Sequence, residues 1–296
     1  AMSVIVEDYA NREKWVEEIV AIARAYITFK GGFEKFAEWG VVLGGNMKLN
    51  TIYNEDGLEG MKRIPDKSID MILCDLPYGT TACKWDTVIP FEPLWEQYNR
   101  IIKDNGAIVL FGQGMFTANC MKSNEDWWRY NLIWKKADRT SGFLNANRMP
   151  MRNHEDIMIF YNKQPIYNPQ FEYGYKPSHK KGKNGVLNET NNCYGDFKVF
   201  ETRDYGDRKF PKSVLNFDRE HPPIHPTQKP VALCEWLIKT YTNEGDLILD
   251  NCIGSGTTAI ACINTNRNYI GFELDKDYYN IANERIKSHK EENKND

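Results

Sequence analysis

From Met47 onward the chain alternates short apolar runs with amphipathic stretches, a pattern that predicts strands alternating with helices. Ile69–Cys74 (IDMILC) reads as a buried strand that ends at Asp75. Over 91–103, Leu94, Trp95, Tyr98, Ile101 and Ile102 share one helical face, and 106–111 (GAIVLF) reads as the next strand. Further strands are predicted at 130–134 and 156–161. The C-terminal part reads as helix Val231–Tyr241, strand Leu247–Asp250, helix 256–263, strand 269–272 and helix 275–287. Alternation of this kind argues for an α/β, doubly wound sheet of Rossmann-like type.

Two stretches do not fit that rhythm. In 1–45, Trp15, Val16, Ile19, Val20, Ala23, Tyr26 and Ile27 recur at helical spacing; Gly31-Gly32 breaks the run, and Phe33, Phe36 and Trp39 suggest a second short helix. This extension reads as a packing or dimerisation element, so a homodimer is one expectation. Residues 163–220 are rich in Asn, Gly, Lys and Tyr without a sustained period. They read as an inserted, loop-rich subdomain, with Phe171, Tyr173, Tyr175, Phe197, Phe200 and Phe210 available for a small core. The predicted organisation is therefore an N-terminal helical extension (1–45), one half of the sheet domain (46–162), an insert (163–220) and the other half (221–296).

Composition narrows the classes. Hydrophobic residues at 41% and charged residues at 27% are ordinary for a soluble globular protein. No apolar run approaches the ~20 residues that cross a bilayer, so a cytoplasmic protein without a membrane partner is expected. The seven cysteines form no CxxC pair, which points to reduced thiols. His221 and His225 have no matching cysteine pair, so no metal is expected. A net charge of −3 excludes a basic protein that coats nucleic acid, but not a local basic surface. Lys135, Lys136, Arg139, Arg148 and Arg152 form such a surface, with Asp138 the lone acid before Glu155. Lys180, Lys181 and Arg208 add to it from the insert.

Candidate chemistry sits at two strand ends. The strand Leu247–Asp250 runs into Asn251-Cys-Ile-Gly254-Ser-Gly256-Thr257 and then a helix. Glycines at such a turn let a ligand approach the backbone, and the helix start presents free N–H groups. Glu273, at the end of the next strand, is placed to bind a ribose diol. Taken alone, this pattern suits a nicotinamide dinucleotide or S-adenosylmethionine equally.

The second strand end is Asp75-Leu76-Pro77-Tyr78. An exocyclic base amine is a poor nucleophile because its lone pair is delocalised into the ring. A carboxylate and a backbone carbonyl accepting its two hydrogens favour a tetrahedral nitrogen, and an aromatic side chain can stack on a base turned out of the duplex. DLPY resembles the Asp/Asn/Ser-Pro-Pro-Tyr motif of amino-directed methyltransferases, and DNCIGSGTT resembles their S-adenosylmethionine motif. His225-Pro-Thr-Gln-Lys-Pro230 resembles the family's HPTQKP element at the methionine end of the cofactor. With the Asp75 motif ahead of the Gly254 motif, the chain resembles the permuted β group of DNA amino-methyltransferases, whose target-recognition insert lies between the two halves.

The resemblance implies S-adenosylmethionine as cofactor, duplex DNA as partner, and Asp75, Leu76, Pro77 and Tyr78 as the catalytic loop. It further implies cofactor contacts from Asp56, Asp75, His225, Thr227, Lys229, Asp250, Cys252, Gly254, Gly256, Thr257 and Glu273. Asp56 is also a candidate helix cap, and Lys229 with Thr227 a candidate solvated turn. Asn153-His154-Glu155-Asp156 resembles another family element, while His154 and Glu155 are equally candidates for merely ordering the neighbouring loop. Leu76 departs from the motif's first proline; only its carbonyl is needed, though the turn loses some stiffness.

Cytosine C5 chemistry requires a cysteine after proline, and no Pro-Cys pair occurs. Cytosine N4 enzymes usually carry Ser where this chain has Asp75, which favours adenine N6. Protein-glutamine and most RNA amino-methyltransferases resemble an Asn-Pro-Pro-Tyr form with the cofactor motif first. A catalytically silent DNA-binding module on the same fold is the alternative of a different class.

Overall fold

The computed structural model describes residues 42–43, 47–80, 86–136, 140–174, 206–220 and 228–293. Strands β1 (Val42–Leu43) and β2 (Met47–Lys48) pair antiparallel as a small separate ribbon. The main sheet begins with β3 (Thr51–Tyr53), followed by α1 (Gly57–Met61), β4 (Ile69–Cys74), α2 (Phe91–Ile101), β5 (Ile102–Gly112) and α3 (Met115–Ser123). It continues with β6 (Trp128–Lys135), β7 (His154–Phe160) and β8 (Val214–Asn216). The chain then forms α4 (Val231–Tyr241), β9 (Leu247–Asp250), α5 (Thr257–Asn264), β10 (Asn268–Phe272) and α6 (Lys276–Glu292).

Eight strands lie in the order β3-β10-β9-β4-β5-β7-β6-β8. The first five run parallel, while β7 is antiparallel to both of its neighbours. From β9 the chain crosses through α5 to β10 on one side; from β4 it crosses through α2 to β5 on the other. The order therefore reverses between β4 and β9, which opens a crevice at their carboxyl ends.

The strands form where both faces are covered. Met71, Ile72, Leu73 and Cys74 of β4 are all buried, the continuous apolar run expected of a parallel strand sandwiched between helices. Alternate residues go to opposite layers: Met71 and Leu73 join α4, α5 and α6, while Ile72 and Cys74 join α1, α2 and α3. α4 starts at Val231 after Pro230, and Glu220 accepts the Val231 N–H at 2.8 Å in place of a side-chain cap from Pro230. Asp56 caps α1 and Asp275 caps α6.

The structure departs from the sequence reading in places. Val42–Leu43 are extended rather than helical, paired with Met47–Lys48; the rest of the predicted helical extension lies outside the described residues. α3 has no strong apolar stripe, since Met115 is exposed and only Phe116, Thr117 and Cys120 are buried. β8 arises inside the aperiodic stretch 163–220, where Leu215 alone of its residues is buried. Of the small core expected there, the Phe171 and Phe210 rings meet at a tilt of 54° with centroids 5.0 Å apart, but Tyr173 and Phe210 are exposed. Tyr175, Phe197 and Phe200 lie outside the described residues.

Gly60 is buried where α1 crosses β10, and a Cβ there would fall within 2.7 Å of three carbons of the Phe272 ring. Gly60→Ala is therefore expected to destabilise the fold by about 1–3 kcal/mol through overpacking. Urea unfolding checks this, and an unchanged midpoint would show that α1 can slide away from the sheet at no cost.

Candidate active site

Two loops meet at the crevice: residues 75–80 after β4 and residues 251–256 after β9. They border one cavity of about 910 Å³, the upper part of the ~300–1,000 Å³ range of ligand pockets. Asp56, Asp75, Tyr78, Asp250, Gly254 and Glu273 all line it.

The 75–80 loop is held at both ends. The Tyr78 hydroxyl donates to Asp75 Oδ1 at 2.7 Å, and the Tyr78 ring rests on Phe116 with centroids 4.8 Å apart. Asp86 is buried and accepts from the Gly79 and Thr80 N–H groups, both at 2.8 Å. Leu76 is buried in the sheet layer, so an apolar residue there anchors the turn by packing.

Asp75 Oδ2 accepts from the Lys229 ammonium at 2.5 Å. Lys229 is buried and also faces Glu155 Oε2 at 3.2 Å. Glu155 in turn pairs with Lys136, whose side chain is 2% exposed. Two carboxylates and two ammonium groups thus alternate in a row, packed on aromatic faces: Lys229 Nζ lies 5.0 Å from the Phe111 ring centroid and Lys136 Nζ 5.2 Å from that of Trp134.

Burial raises the Asp75 pKa; Lys229 opposes the rise, and Glu155 adds to it. For Lys229, burial works against the charge, but Asp75 and Glu155 outweigh it and hold the ammonium protonated. Burial likewise opposes ionisation of Glu155, and Lys229 and Lys136 overcome it, so that its pKa falls.

The second loop is organised from below and from behind. Asp250 accepts from the Cys252 N–H at 3.1 Å, and Tyr98 donates to Asn251. Glu273 accepts from the Gly254 N–H at 2.9 Å and from the Asp275 N–H at 2.8 Å, which ties the glycine turn to β10. Gly254 has φ +53°, and a Cβ on it would meet nothing within 4 Å, so its backbone lies open.

The N6_N4_Mtase family, described as DNA methylase, matches residues 69–284. The chain belongs to this DNA methylase family. The Type II methyltransferase M.BglII of Bacillus subtilis is 28% identical over 276 residues, covering 83% of this chain and 71% of the relative. M.HpaI of Haemophilus parainfluenzae is 28% identical over 256 residues, covering 79% and 73%. Among solved structures, the M1.HpyAVI–SAM complex has a TM-score of 0.53 at 23% identity, covering 79% of this chain and 98% of that one. The PvuII DNA methyltransferase, described as cytosine-N4-specific, reaches 0.56 at 16%, covering 78% and 84%. The protein is thus an S-adenosylmethionine-dependent DNA methyltransferase on the Rossmann-like fold expected from its sequence.

In this methylase most of the expected site residues converge. Asp56, Asp75, Leu76, Pro77, Tyr78, Lys229, Asp250, Cys252, Gly254, Thr257 and Glu273 line the cavity. Gly256 does not: it starts α5 at φ +81°, and a Cβ on it would come within 3.2 Å of Ala282, so its smallness serves packing against α6. Lys229, expected at the cofactor carboxylate, instead pairs with Asp75. Asp56 Oδ1 caps α1 through the Leu58 and Glu59 N–H groups. His225 and Thr227 lie outside the described residues.

Of the expected DNA-contacting residues, Lys135, Arg148, Arg152 and Arg208 are exposed, and Arg208 also covers the Phe171 ring at 5.1 Å. Lys136 differs from these: it is buried, paired with Glu155, and borders the cavity rather than the outer surface. Arg139, Lys180 and Lys181 lie outside the described residues. Sequence reasoning missed Glu155 as a member of this charge row, although the period-two burial of β7 turns it inward.

Burial pushes the Asp250 pKa up to about 6, from 3.8. The folded state therefore binds this proton more tightly than the unfolded chain does. That contribution to stability is complete below about pH 4 and is lost as pH rises through 6, about 2–3 kcal/mol in all. Asp250→Asn removes the penalty, so the variant is expected to melt above the wild type at pH 8, with the gap closing at pH 4. A gap independent of pH, read by thermal melts across this range, would mean that Asp250 does not titrate there.

Proposed function

We propose that this methylase transfers the methyl group of S-adenosylmethionine to N6 of an adenine flipped out of duplex DNA. The carrying observation is a carboxylate, Asp75, at the end of β4 in the same cavity as the glycine turn after β9. The residues fit the cofactor: the open backbone at Gly254 admits close approach, and Asp75, Asp250 and Glu273 suit a cationic ligand. Asp56, Asp250, Cys252, Gly254, Thr257 and Glu273 would hold it, with His225 and Thr227. Bound there, S-adenosylmethionine supplies an electrophilic sulfonium methyl, and no covalent enzyme intermediate is needed.

The chain's own residues prepare the amine. Asp75 and the Leu76 carbonyl accept its two hydrogens, which restores a usable lone pair on nitrogen. Both Asp75 oxygens already carry donors, Tyr78 and Lys229, so an incoming amine must displace one of them. Glu155, 3.2 Å from Lys229, offers the ammonium a second anion to rest on when it moves. The raised pKa of Asp75 suits it to receive the proton that the methylated nitrogen sheds. Tyr78 stacks on the extruded base.

Lys135, Arg148, Arg152 and Arg208, with Arg139, Lys180 and Lys181, supply phosphate contacts. The insert at 163–220 with the 135–152 loop chooses the sequence. The adenine assignment rests on Asp75, a stronger acceptor than the Ser usual in N4 enzymes.

Mass spectrometry of nucleosides after reaction with mixed-sequence duplex DNA is the direct test, and N6-methyladenine is the expected product. N4-methylcytosine alone would overturn the base assignment; 5-methylcytosine would overturn the mechanism. In the same assay Asp75→Asn and Asp75→Ala should lose at least a hundredfold in turnover, the scale of about 2.7–4 kcal/mol for one preorganised hydrogen bond. Either variant within threefold of wild type would refute the role.

Glu273→Ala is expected to weaken S-adenosylmethionine binding about tenfold or more, because a charge-assisted hydrogen bond contributes about 1.5–3 kcal/mol. Titration calorimetry that gives an unchanged Kd would confine Glu273 to bracing the Gly254 turn.

A further inference from the structure

The loop between β6 and β7 is a built projection from the rim of the cavity. Its neck is the bridge Ser141–Arg152, closed by two backbone hydrogen bonds of 2.7 and 3.0 Å. Ser141 lines the same cavity as Asp75 and Tyr78, so the neck stands at the mouth of the site. Beyond it, Gly142 turns left-handed at φ +83° and Phe143–Asn145 form a tight 3-10 turn. Backbone bonds from Asn145 to Gly142, from Arg148 to Asn145 and from Met149 to Asn145, at 2.8–3.0 Å, hold the tip in shape.

This ordered tip presents apolar side chains to solvent. Phe143 is 75% exposed and Leu144 84%, and Met149 and Met151 on the returning limb are also exposed. Neither tip side chain belongs to the two core clusters, so packing among the described residues does not account for them. Residues 140–152 contain Arg148 and Arg152 and no acid, and Lys135 stands nearby at the end of β6. An apolar point with a cationic base matches a polyanion that offers an apolar slot.

Duplex DNA provides that slot when a base leaves the stack. The gap is lined by the faces of the neighbouring base pairs, and unstacking is what Phe and Leu wedges achieve in proteins that deform DNA. We infer that Phe143 and Leu144 form a wedge that enters the duplex beside the target and fills the space the flipped base leaves. The inference rests on the flipped-base reading above. The wedge has no partner in the methyl-transfer step itself; its contribution is to the cost of extrusion.

The test uses the full-length chain and a duplex that carries the mapped methylation sequence, either intact or with the target base opposite an abasic site. An unpaired target needs less help to leave the stack. The double variant Phe143→Ala, Leu144→Ala should lose at least tenfold in kcat/KM on the intact duplex and no more than twofold on the abasic one. Its thermal midpoint should be unchanged, because the side chains it removes are exposed. Equal losses on the two substrates, or no loss on either, would overturn the wedge. So would a change in oligomeric state by sedimentation without DNA, which would assign the tip to contact with a second copy of the chain. A 2-aminopurine at the target position whose fluorescence does not rise when wild type binds would instead overturn the flipped-base reading, and the wedge with it.

Discussion

The parallel pairing of β4 with β9 is the constraint on which the site depends. Met71 opposes Ile248 and Ile72 opposes Leu249, and these strands have fully buried backbones whose polar groups must find partners in the sheet. Once that register is set, the carboxyl ends of both strands open into one crevice. Asp75 and the glycine turn then share a cavity although most of the chain separates them in sequence. The order in which the halves occur along the chain is immaterial to this result. Either half supplies one strand end, and the sheet does the joining.

Burying charge beside that crevice requires company. Lys229 alone would be costly to desolvate, and so would Glu155. Arranged as Asp75, Lys229, Glu155 and Lys136, the signs alternate, and each inner member faces two opposite charges. Such a row adds little net stability over an apolar replacement, yet removal of one member strands another. Its value lies in geometry: Asp75 has a fixed direction and a defined donor on each oxygen before any ligand arrives. Phe111, Trp134 and Tyr78 flank the ammonium groups with their ring faces.

Much of this was legible from local pattern. Continuous apolar runs marked β4 and β9, and helical spacing marked α2 and α4, because each of these elements is buried on a wide face. α3 and β8 were not legible, since each buries only a few residues and is held by its neighbours. Lys136 was grouped with the exposed basic residues because composition treats adjacent lysines alike. The strand does not: Trp134 points inward, Lys135 outward and Lys136 inward, with period two. The same alternation from Ile157 back to Glu155 was the available signal for that glutamate. Gly256 was assigned to the ligand by motif, whereas a Cβ on it would first meet Ala282 on α6. Neither that packing nor the move of Lys229 onto Asp75 has a local signature, because each depends on an element distant in sequence.

The position of β8 follows from the same sheet. β8 joins the outermost edge beside β6, with β5, β7 and β6 standing between it and β4. The loops between β6 and β7 and between β7 and α4 can therefore change length without disturbing the β4–β9 register. They remain coupled to the site at two points. The Ser141–Arg152 neck stands at the cavity rim, and Glu220 holds the start of α4 and the Arg285 guanidinium of α6. Arg285 in turn reaches Ser255 and Thr257 in the glycine turn. Segments built on this edge thus stay tied at their roots to the cavity rim and the glycine turn.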